Sequence, residues 1–314
     1  MEQIVKFRRK GSTVQCVLAM FIAATTIATP AEKRIALTFD DAPRADSGVF
    51  TGQQRTDALI EALADVDAGP AAFFVTTRGL VSEKDGRDRI ARYAAAGHLI
   101  ANHSHTHPWA HKLSVADFLD DVDRATSSLA GIENRRPWFR FPYLDEGRTP
   151  ERIAGIKKGL GDRGLVNGYV TVDNYDWYVD RRLQAALIEG VEVDYDKLGR
   201  FYVRMLLYAA EYYDSLAVQM LGHSPVHVLL LHENDLAAMY VDDLVLALRE
   251  SGWTIVSPDE AYGDPLPEPA SRFTSQGRVF ALADDRGRPR YTMWTWAIDE
   301  QMIDLQLTRS GAFN

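Results

Sequence analysis

The chain contains very little cysteine and no excess of basic residues. Its 314 residues include one cysteine, Cys16, and the formal net charge is −9. One cysteine cannot form a disulfide within the chain. An acidic chain is also a poor candidate for binding nucleic acid, which requires basic patches. We therefore expect neither a disulfide scaffold nor a nucleic-acid partner.

The N-terminal residues differ in composition from the rest of the chain. Four basic residues between positions 6 and 10 precede an uncharged, mostly apolar run at 14–28, and small residues follow. This order is typical of a secretory signal peptide, which we expect at 1–28 with cleavage near Ala28. Export to the periplasm or the exterior would remove Cys16, leaving no thiolate chemistry and no stable membrane span. The alternative is an uncleaved anchor, although the run is shorter than the roughly 20 residues of a membrane span.

From residue 34 onward, short apolar segments alternate with segments of helical character. This alternation predicts parallel βα units, and seven of them predict a barrel or a doubly wound sheet. Between about 178 and 222, apolar residues with a helical period predict a long amphipathic helix in an insertion. A C-terminal extension follows at 263–314, where Trp294 and Trp296 could pack on the barrel or stack on a sugar. The strand candidates are Ile35–Phe39, Ala71–Val75, Leu99–Asn102, Trp138–Arg140, Leu165–Val172, Val228–Leu231 and Thr254–Val256.

Unusual polar residues follow five of these strand candidates directly. In a (β/α) barrel, catalytic groups gather from the ends of several strands at one face, whereas a single crevice dominates an open sheet. The distribution therefore favours an α/β barrel. The residues concerned are Asp40 and Asp41, His103 and His107, Arg140, Asp173 and Asp176, and His232.

The segment from His103 to His107 predicts a metal site. It holds three of the 8 histidines in the chain, and neutral imidazole is the commonest metal ligand. Two imidazoles and one carboxylate from Asp40-Asp41 would form a facial set of ligands, leaving the other carboxylate as a base. Pro108 favours a loop over a helix, with His105 pointing elsewhere. Because side chains alternate in an extended chain, Asp40 and Asp41 are expected on opposite sides.

Taken in order, five motifs resemble those of the polysaccharide deacetylase family (carbohydrate esterase family 4, the NodB-homology domain). The resemblance spans roughly residues 34–262, which gives a deacetylase domain at 29–262. The family's usual glycine is replaced by Ala42, and the insertion before the fifth motif is long, which leaves the substrate class open. The motifs are Thr38-Phe39-Asp40-Asp41-Ala42-Pro43, His103-Ser104-His105-Thr106-His107, Arg140-Phe141-Pro142-Tyr143, Asp173-Asn174-Tyr175-Asp176-Trp177 and Leu230-Leu231-His232.

The resemblance implies a distorted (β/α)7-type barrel and a metal-dependent de-N-acetylase. Its substrate would be an N-acetylated glycan, such as a chitin oligomer, peptidoglycan or an exopolysaccharide. A divalent metal, with zinc favoured, would supply the Lewis acidity for amide hydrolysis. The implied roles are metal ligands at Asp41, His103 and His107, a base at Asp40 paired with Arg140, an acid at His232 oriented by Asp176, an oxyanion contact from the backbone N–H of Tyr143, substrate contacts at Trp177 and Leu230, and support from Asp173.

Other classes of protein remain open on the sequence. Each motif alone has a structural explanation: a carboxylate pair can form a turn, and a histidine at a strand end is usually a satisfied core residue. A phosphoesterase or an amidohydrolase also uses His/Asp metal sites, although amidohydrolase barrels usually carry His-x-His where this chain has Asp40-Asp41. A hydrolase of a non-sugar C–N amide and a non-catalytic carbohydrate-binding protein are the remaining alternatives.

Overall fold

The structure, a computed structural model, describes residues 32–313, so the predicted signal peptide lies outside the described residues. This part of the chain contains seven strands and eleven α-helices. The strands are β1 (Lys33–Ala42), β2 (Ala72–Val75), β3 (Leu99–Asn102), β4 (Arg135–Phe139), β5 (Val166–Asn167), β6 (Val226–His232) and β7 (Trp253–Ile255). The helices are α1 (Gly52–Asp65), α2 (Gly79–Ser82), α3 (Gly86–Ala95), α4 (Val115–Ser128), α5 (Pro150–Asp162), α6 (Asp176–Glu189), α7 (Tyr195–Leu221), α8 (Asp235–Glu250), α9 (Pro258–Gly263), α10 (Gly277–Asp285) and α11 (Glu300–Ser310).

All strand pairs in the sheet are parallel. The order is β5-β4-β3-β2-β1-β6, and β7 also pairs with β1. β1 lies near the centre and is buried over most of its length, as expected for a barrel strand whose outer face is covered by helices and whose inner face is filled by side chains of the other strands. Its register with β6 sets Asp40 beside His232. Because the strands are parallel, their carboxyl ends meet at one face, where the predicted site residues lie.

The sheet curls, and a single bridge links its far edges. After β5 the chain returns to β6, where Val172 pairs with Leu229. The predicted strand Leu165–Val172 is therefore wrong in extent, because only 166–167 form a strand. Gly168 still donates its N–H to the carbonyl oxygen of Phe139 at 2.8 Å, but its own carbonyl oxygen accepts the Nε–H of Arg140 at 2.6 Å. The prediction of a distorted (β/α)7-type barrel is confirmed.

The helical insertion and the C-terminal extension share one hydrophobic core. α7 contains the predicted long amphipathic helix, and its buried residues include Phe201 and Met205. Phe280 of α10 and Leu307 of α11 belong to the same buried cluster. Trp296 packs near Phe201, with ring centroids 6.1 Å apart. In residues 32–313, no helix combines the length and the apolar character that a membrane crossing requires.

Candidate active site

The end of β1 brings two adjacent carboxylates to the same side of the chain. Asp41 has φ +66°, and the register of β1 with β2 shifts between Phe39 and Ala42. Asp40 Oδ2 lies 3.7 Å from His103 Nε2, and Asp41 Oδ1 lies 3.6 Å from the same atom. The expectation that the two side chains point to opposite sides is therefore wrong. The left-handed conformation of Asp41 breaks the alternation of an extended strand.

The loop after β3 carries both imidazoles, and polar contacts fix its shape. Asp121 of α4 accepts the backbone N–H groups of His105 and Thr106, at 2.7 and 3.2 Å. The segment is a loop rather than a helix, as Pro108 predicts. The His105 ring hydrogen bonds to Thr77 Oγ1 at 2.9 Å and does not belong to the metal-ligand group.

Asp41, His103 and His107 form a set of donor atoms that fits a divalent metal. Asp41 Oδ1 lies 3.2 Å from His107 Nε2, and the two Nε2 atoms are 3.2 Å apart. Tetrahedral zinc bonds of about 2.0–2.2 Å require ligand atoms roughly 3.3 Å apart, which these separations match. Within residues 32–313, these side chains are the one group of three or more possible ligands close enough to hold an ion.

The protonation states of this trio also suit a metal. His103 Nδ1 lies 2.9 Å from the carbonyl oxygen of Arg140, so Nδ1 carries the proton and Nε2 keeps its lone pair. Burial lowers the pKa values of His103 and His107 to about 4, which keeps both rings neutral. Burial opposes the ionisation of Asp41, but His107 and His232 outweigh it and lower the pKa of Asp41.

Arg140 forms a buried ion pair with Asp40. Its side chain is fully buried, and Nη1 donates to Asp40 Oδ1 at 2.8 Å. Nη2 donates to the Tyr262 hydroxyl at 2.8 Å, and the guanidinium lies over the Phe74 ring at 3.9 Å. Burial raises the pKa of Asp40 to about 6, and the charge of Arg140 limits that rise. Asp40 is therefore largely ionised at neutral pH and can still accept a proton.

His232 and Asp176 form a second hydrogen-bonded pair, and the strand register places His232 next to Asp40. His232 Nδ1 lies 2.6 Å from Asp176 Oδ1, and Asp176 Oδ2 accepts the His232 backbone N–H at 2.9 Å. Burial lowers the pKa of His232, but the Asp176 carboxylate outweighs it and raises the value to about 9. Asp173 does not contact this ring; its Oδ1 accepts the backbone N–H of Asn174 at 2.9 Å.

One cleft of about 790 Å³ contains nine of the eleven residues that the sequence singles out. Arg140 and Asp176 lie behind its wall and act on cleft residues through hydrogen bonds. The Tyr143 ring is 44% exposed and stacks on Trp109, with centroids 3.8 Å apart. The nine cleft residues are Asp40, Asp41, His103, His107, Tyr143, Asp173, Trp177, Leu230 and His232.

Ten further residues, to which the sequence assigned no role, line the same cleft, and of these only Tyr175 lies within one of the five motifs. Arg44 follows the first motif and Trp109 the second, so adjacency to a motif could have identified them. No local signal marks those from the C-terminal extension, and neither Trp294 nor Trp296 is among them. The ten residues are Arg44, Trp109, Leu144, Arg148, Tyr175, Asp180, Arg181, Gln184, Ser275 and Gln276.

Comparisons with known proteins agree with this geometry. Residues 28–159 match the model of a family described as polysaccharide deacetylase. A peptidoglycan-N-acetylglucosamine deacetylase from Bacillus cereus is 29% identical over 152 residues, covering 46% of this chain and 48% of that protein. A chitin deacetylase from Colletotrichum lindemuthianum is 33% identical over 133 residues, covering 41% and 47%. The chain thus spans about half the length of these curated relatives.

Comparison with a solved structure supports the fold and nothing beyond the fold. The polysaccharide deacetylase from Bacillus cereus superposes with a TM-score of 0.53 at 22% identity, covering 72% of this chain and 92% of that one. The family match includes Asp41, His103 and Arg140 but ends before Asp176 and His232. It therefore covers the metal-ligand half of the cleft and not the half around His232.

Proposed function

We propose, since the chain belongs to the polysaccharide deacetylase family, that it hydrolyses the acetamide of an N-acetylated glycan. The products are acetate and a free amine. One observation carries this proposal: a single cleft contains the Asp41, His103 and His107 trio together with an ionised Asp40 and a protonated His232. Amide hydrolysis needs both a proton acceptor and a proton donor, and the two buried groups are poised for these opposite tasks.

The trio would hold a divalent metal, for which we propose zinc because two imidazoles and one carboxylate suit it. When bound, such an ion supplies Lewis acidity toward a carbonyl oxygen and acidifies water. Asp40 would accept the proton of the attacking water, with Arg140 keeping the carboxylate ionised. His232 would donate a proton to the leaving nitrogen, with Asp176 keeping the imidazolium stable. The backbone N–H of Tyr143 would support the developing oxyanion.

The character of the cleft supports a carbohydrate substrate. Tyr143, stacked on Trp109, and Trp177 line its walls together with polar and charged side chains, and ligand sites commonly combine aromatic surface with placed polar groups. Two relatives, a peptidoglycan-N-acetylglucosamine deacetylase and a chitin deacetylase, are named for substrates of the same chemical class.

Acetate release tests the proposal directly. Purified protein loaded with zinc is incubated with N-acetylglucosamine oligomers, peptidoglycan, an N-acetylated exopolysaccharide and a sugar-free acetamide. We expect acetate from at least one glycan and none from the Asp40→Asn variant. Turnover of only the sugar-free acetamide would indicate an amidase of another kind, and phosphate release from phosphate esters would indicate a phosphoesterase. Binding of a glycan without any turnover would indicate a carbohydrate-binding protein.

Export is a separate proposal that rests on the basic-then-apolar order of residues 6–28. Expression of the full chain, followed by N-terminal sequencing of exported material, should give a mature N-terminus close to Thr29. Protein found only inside the cell with an intact Met1 would contradict it.

A further inference from the structure

The C-terminal extension contributes a buried polar side chain to the cleft wall. Gln276 is 5% exposed and lines the cleft that contains the metal-ligand trio. Its amide oxygen Oε1 is buried and has no hydrogen-bond partner in residues 32–313. A buried carbonyl oxygen without a partner is costly in free energy, and such groups occur where a ligand or water completes them.

Hydrogen bonds hold the backbone around Gln276 against two loops at the mouth of the barrel. Thr274 Oγ1 donates to the carbonyl oxygen of Leu144 at 2.8 Å, next to Tyr143. Arg278 N–H donates to the carbonyl oxygen of Val170 at 2.7 Å. Hydrogen bonds of the residues before and after Gln276 in the chain therefore fix its backbone position.

Gly277 allows this close approach of the backbone. It has φ +84°, and a Cβ atom there would lie 2.9 Å from the Val170 oxygen. A residue with a side chain would push the segment out of the cleft. The segment is thus built to bring Gln276 to this wall.

The neighbours of Gln276 indicate what its free oxygen binds. Tyr175 and Asp173 line the same cleft as Gln276. Asp173 is buried, and it interacts electrostatically with both Asp40 and His232, so this wall is close to the reacting groups. A carbonyl oxygen pairs with a hydrogen-bond donor and not with an anion. An uncharged donor next to aromatic rings has the character of a sugar hydroxyl.

From these contacts we propose that the C-terminal extension completes the substrate site, with Gln276 Oε1 accepting a hydrogen bond from a sugar hydroxyl of the glycan. The inference rests on the proposed function, and it names a binding residue outside the five motifs. It also gives the extension a role in recognition in addition to packing against α7.

Three variants test the role of Gln276. Gln276→Leu removes the acceptor at similar volume, and Gln276→Glu retains an acceptor oxygen. Gln219→Leu is the matched control, because Gln219 is exposed on α7 and bonds to Arg288 of the extension without lining the cleft. The kinetic substrates are an N-acetylglucosamine tetramer and 4-nitrophenyl acetate, which has no sugar hydroxyls. Calorimetry measures binding of the tetramer in an Asp40→Asn background.

We expect Gln276→Leu to lower kcat/KM for the tetramer roughly 10-fold more than for the aryl acetate, and to weaken tetramer binding by a similar factor. Gln276→Glu should recover part of the loss, and Gln219→Leu should match the parent on both substrates. The melting temperature of Gln276→Leu should not fall. In the free protein the wild-type glutamine has an unpaired buried oxygen, which leucine lacks. Equal losses on both substrates with a lower melting temperature would overturn the inference and assign Gln276 a structural role.

The proposed function fails separately. If the parent protein binds the tetramer but releases no acetate, the deacetylase assignment is wrong, and the calorimetric comparison of the variants still decides the role of Gln276. If the parent protein neither binds nor hydrolyses the tetramer, both are overturned.

Discussion

His103 and His232 occupy similar places and have opposite protonation states. Both lie at the carboxyl ends of parallel strands and line the same cleft. The Nδ1 atom of His103 faces a backbone carbonyl, whereas that of His232 faces the carboxylate of Asp176. Burial takes the pKa of His103 down to about 4, while the charge of Asp176 outweighs burial and raises that of His232 to about 9. A neutral acceptor makes a metal ligand, and a charged acceptor makes a proton donor.

The adjacent carboxylates repeat this contrast. Burial raises the pKa of Asp40 to about 6, while the histidines around Asp41 lower the pKa of that residue. Two neighbouring residues of one type therefore suit the different tasks that the proposed function gives them, a proton acceptor and a ligand. The cleft thus divides into a ligand half and a proton-transfer half.

The largest effect is expected from breaking the ligand half. His103→Ala removes one of three ligands, so bound metal and activity should both fall to background. Elemental analysis and acetate release measure the two. His105→Ala is the control, because that ring is bonded to Thr77; it should keep both properties. Full metal content in His103→Ala would refute the ligand assignment.

Asp40→Asn tests whether the two halves are separable. The variant should retain the metal, since Asp40 is not one of the trio, and lose about 10²–10⁴-fold in kcat because the proton acceptor is gone. Metal content and single-turnover rates should be measured on the same sample. Loss of the metal would mean that Asp40 and Asp41 have exchanged roles.

Asp176→Asn tests the comparison of the two histidines, because it gives His232 a neutral hydrogen-bond partner like that of His103. The proposed mechanism requires protonated His232, so kcat/KM of the wild-type protein should fall as pH rises through about 9. In Asp176→Asn the pKa of His232 falls, and this alkaline limb should move to lower pH. His232→Ala should remove the limb altogether. A pH–rate profile of the three proteins decides this, and an unmoved limb would dissociate Asp176 from His232.

The smallest effect is on stability. The pKa of His232 is raised in the folded state, from 6.5 to about 9, so the pair stabilises the fold fully below pH 6.5. This contribution, on the order of 3 kcal/mol at most, should be lost as pH rises through about 9. Urea unfolding of the metal-free protein at pH 6, 8 and 9.5 measures it. Asp176→Asn should show a shallower decline; an identical decline would contradict the linkage.

The sequence predicted the barrel and the cleft better than it predicted local backbone conformation. Polar residues at the carboxyl ends of parallel strands meet at one face, however the helices pack. The grouping of Asp40, His103 and His232 therefore followed from the order of strands. The left-handed Asp41 could not be predicted, because the surrounding loop imposes it. Likewise, the short β5 reflects the use of the Gly168 carbonyl by Arg140.

The place of Gln276 in the cleft was beyond sequence analysis for a different reason. It depends on contacts with Leu144 and Val170, residues more than a hundred positions earlier in the chain. No periodicity or local motif records a contact of that kind. Residues that enter a site through long-range packing become visible only in three dimensions.

Arg140 serves the two halves with two different parts of the same residue. Its guanidinium contacts Asp40, and its main-chain carbonyl oxygen accepts a hydrogen bond from the Nδ1–H of His103. A substitution of Arg140 can remove the first contact, but no substitution can remove the backbone carbonyl oxygen. A substitution at position 140 should therefore leave the tautomer of His103 unchanged, whereas it should change the basicity of Asp40. Evolution could retune proton transfer at this residue without losing the ability to bind an ion.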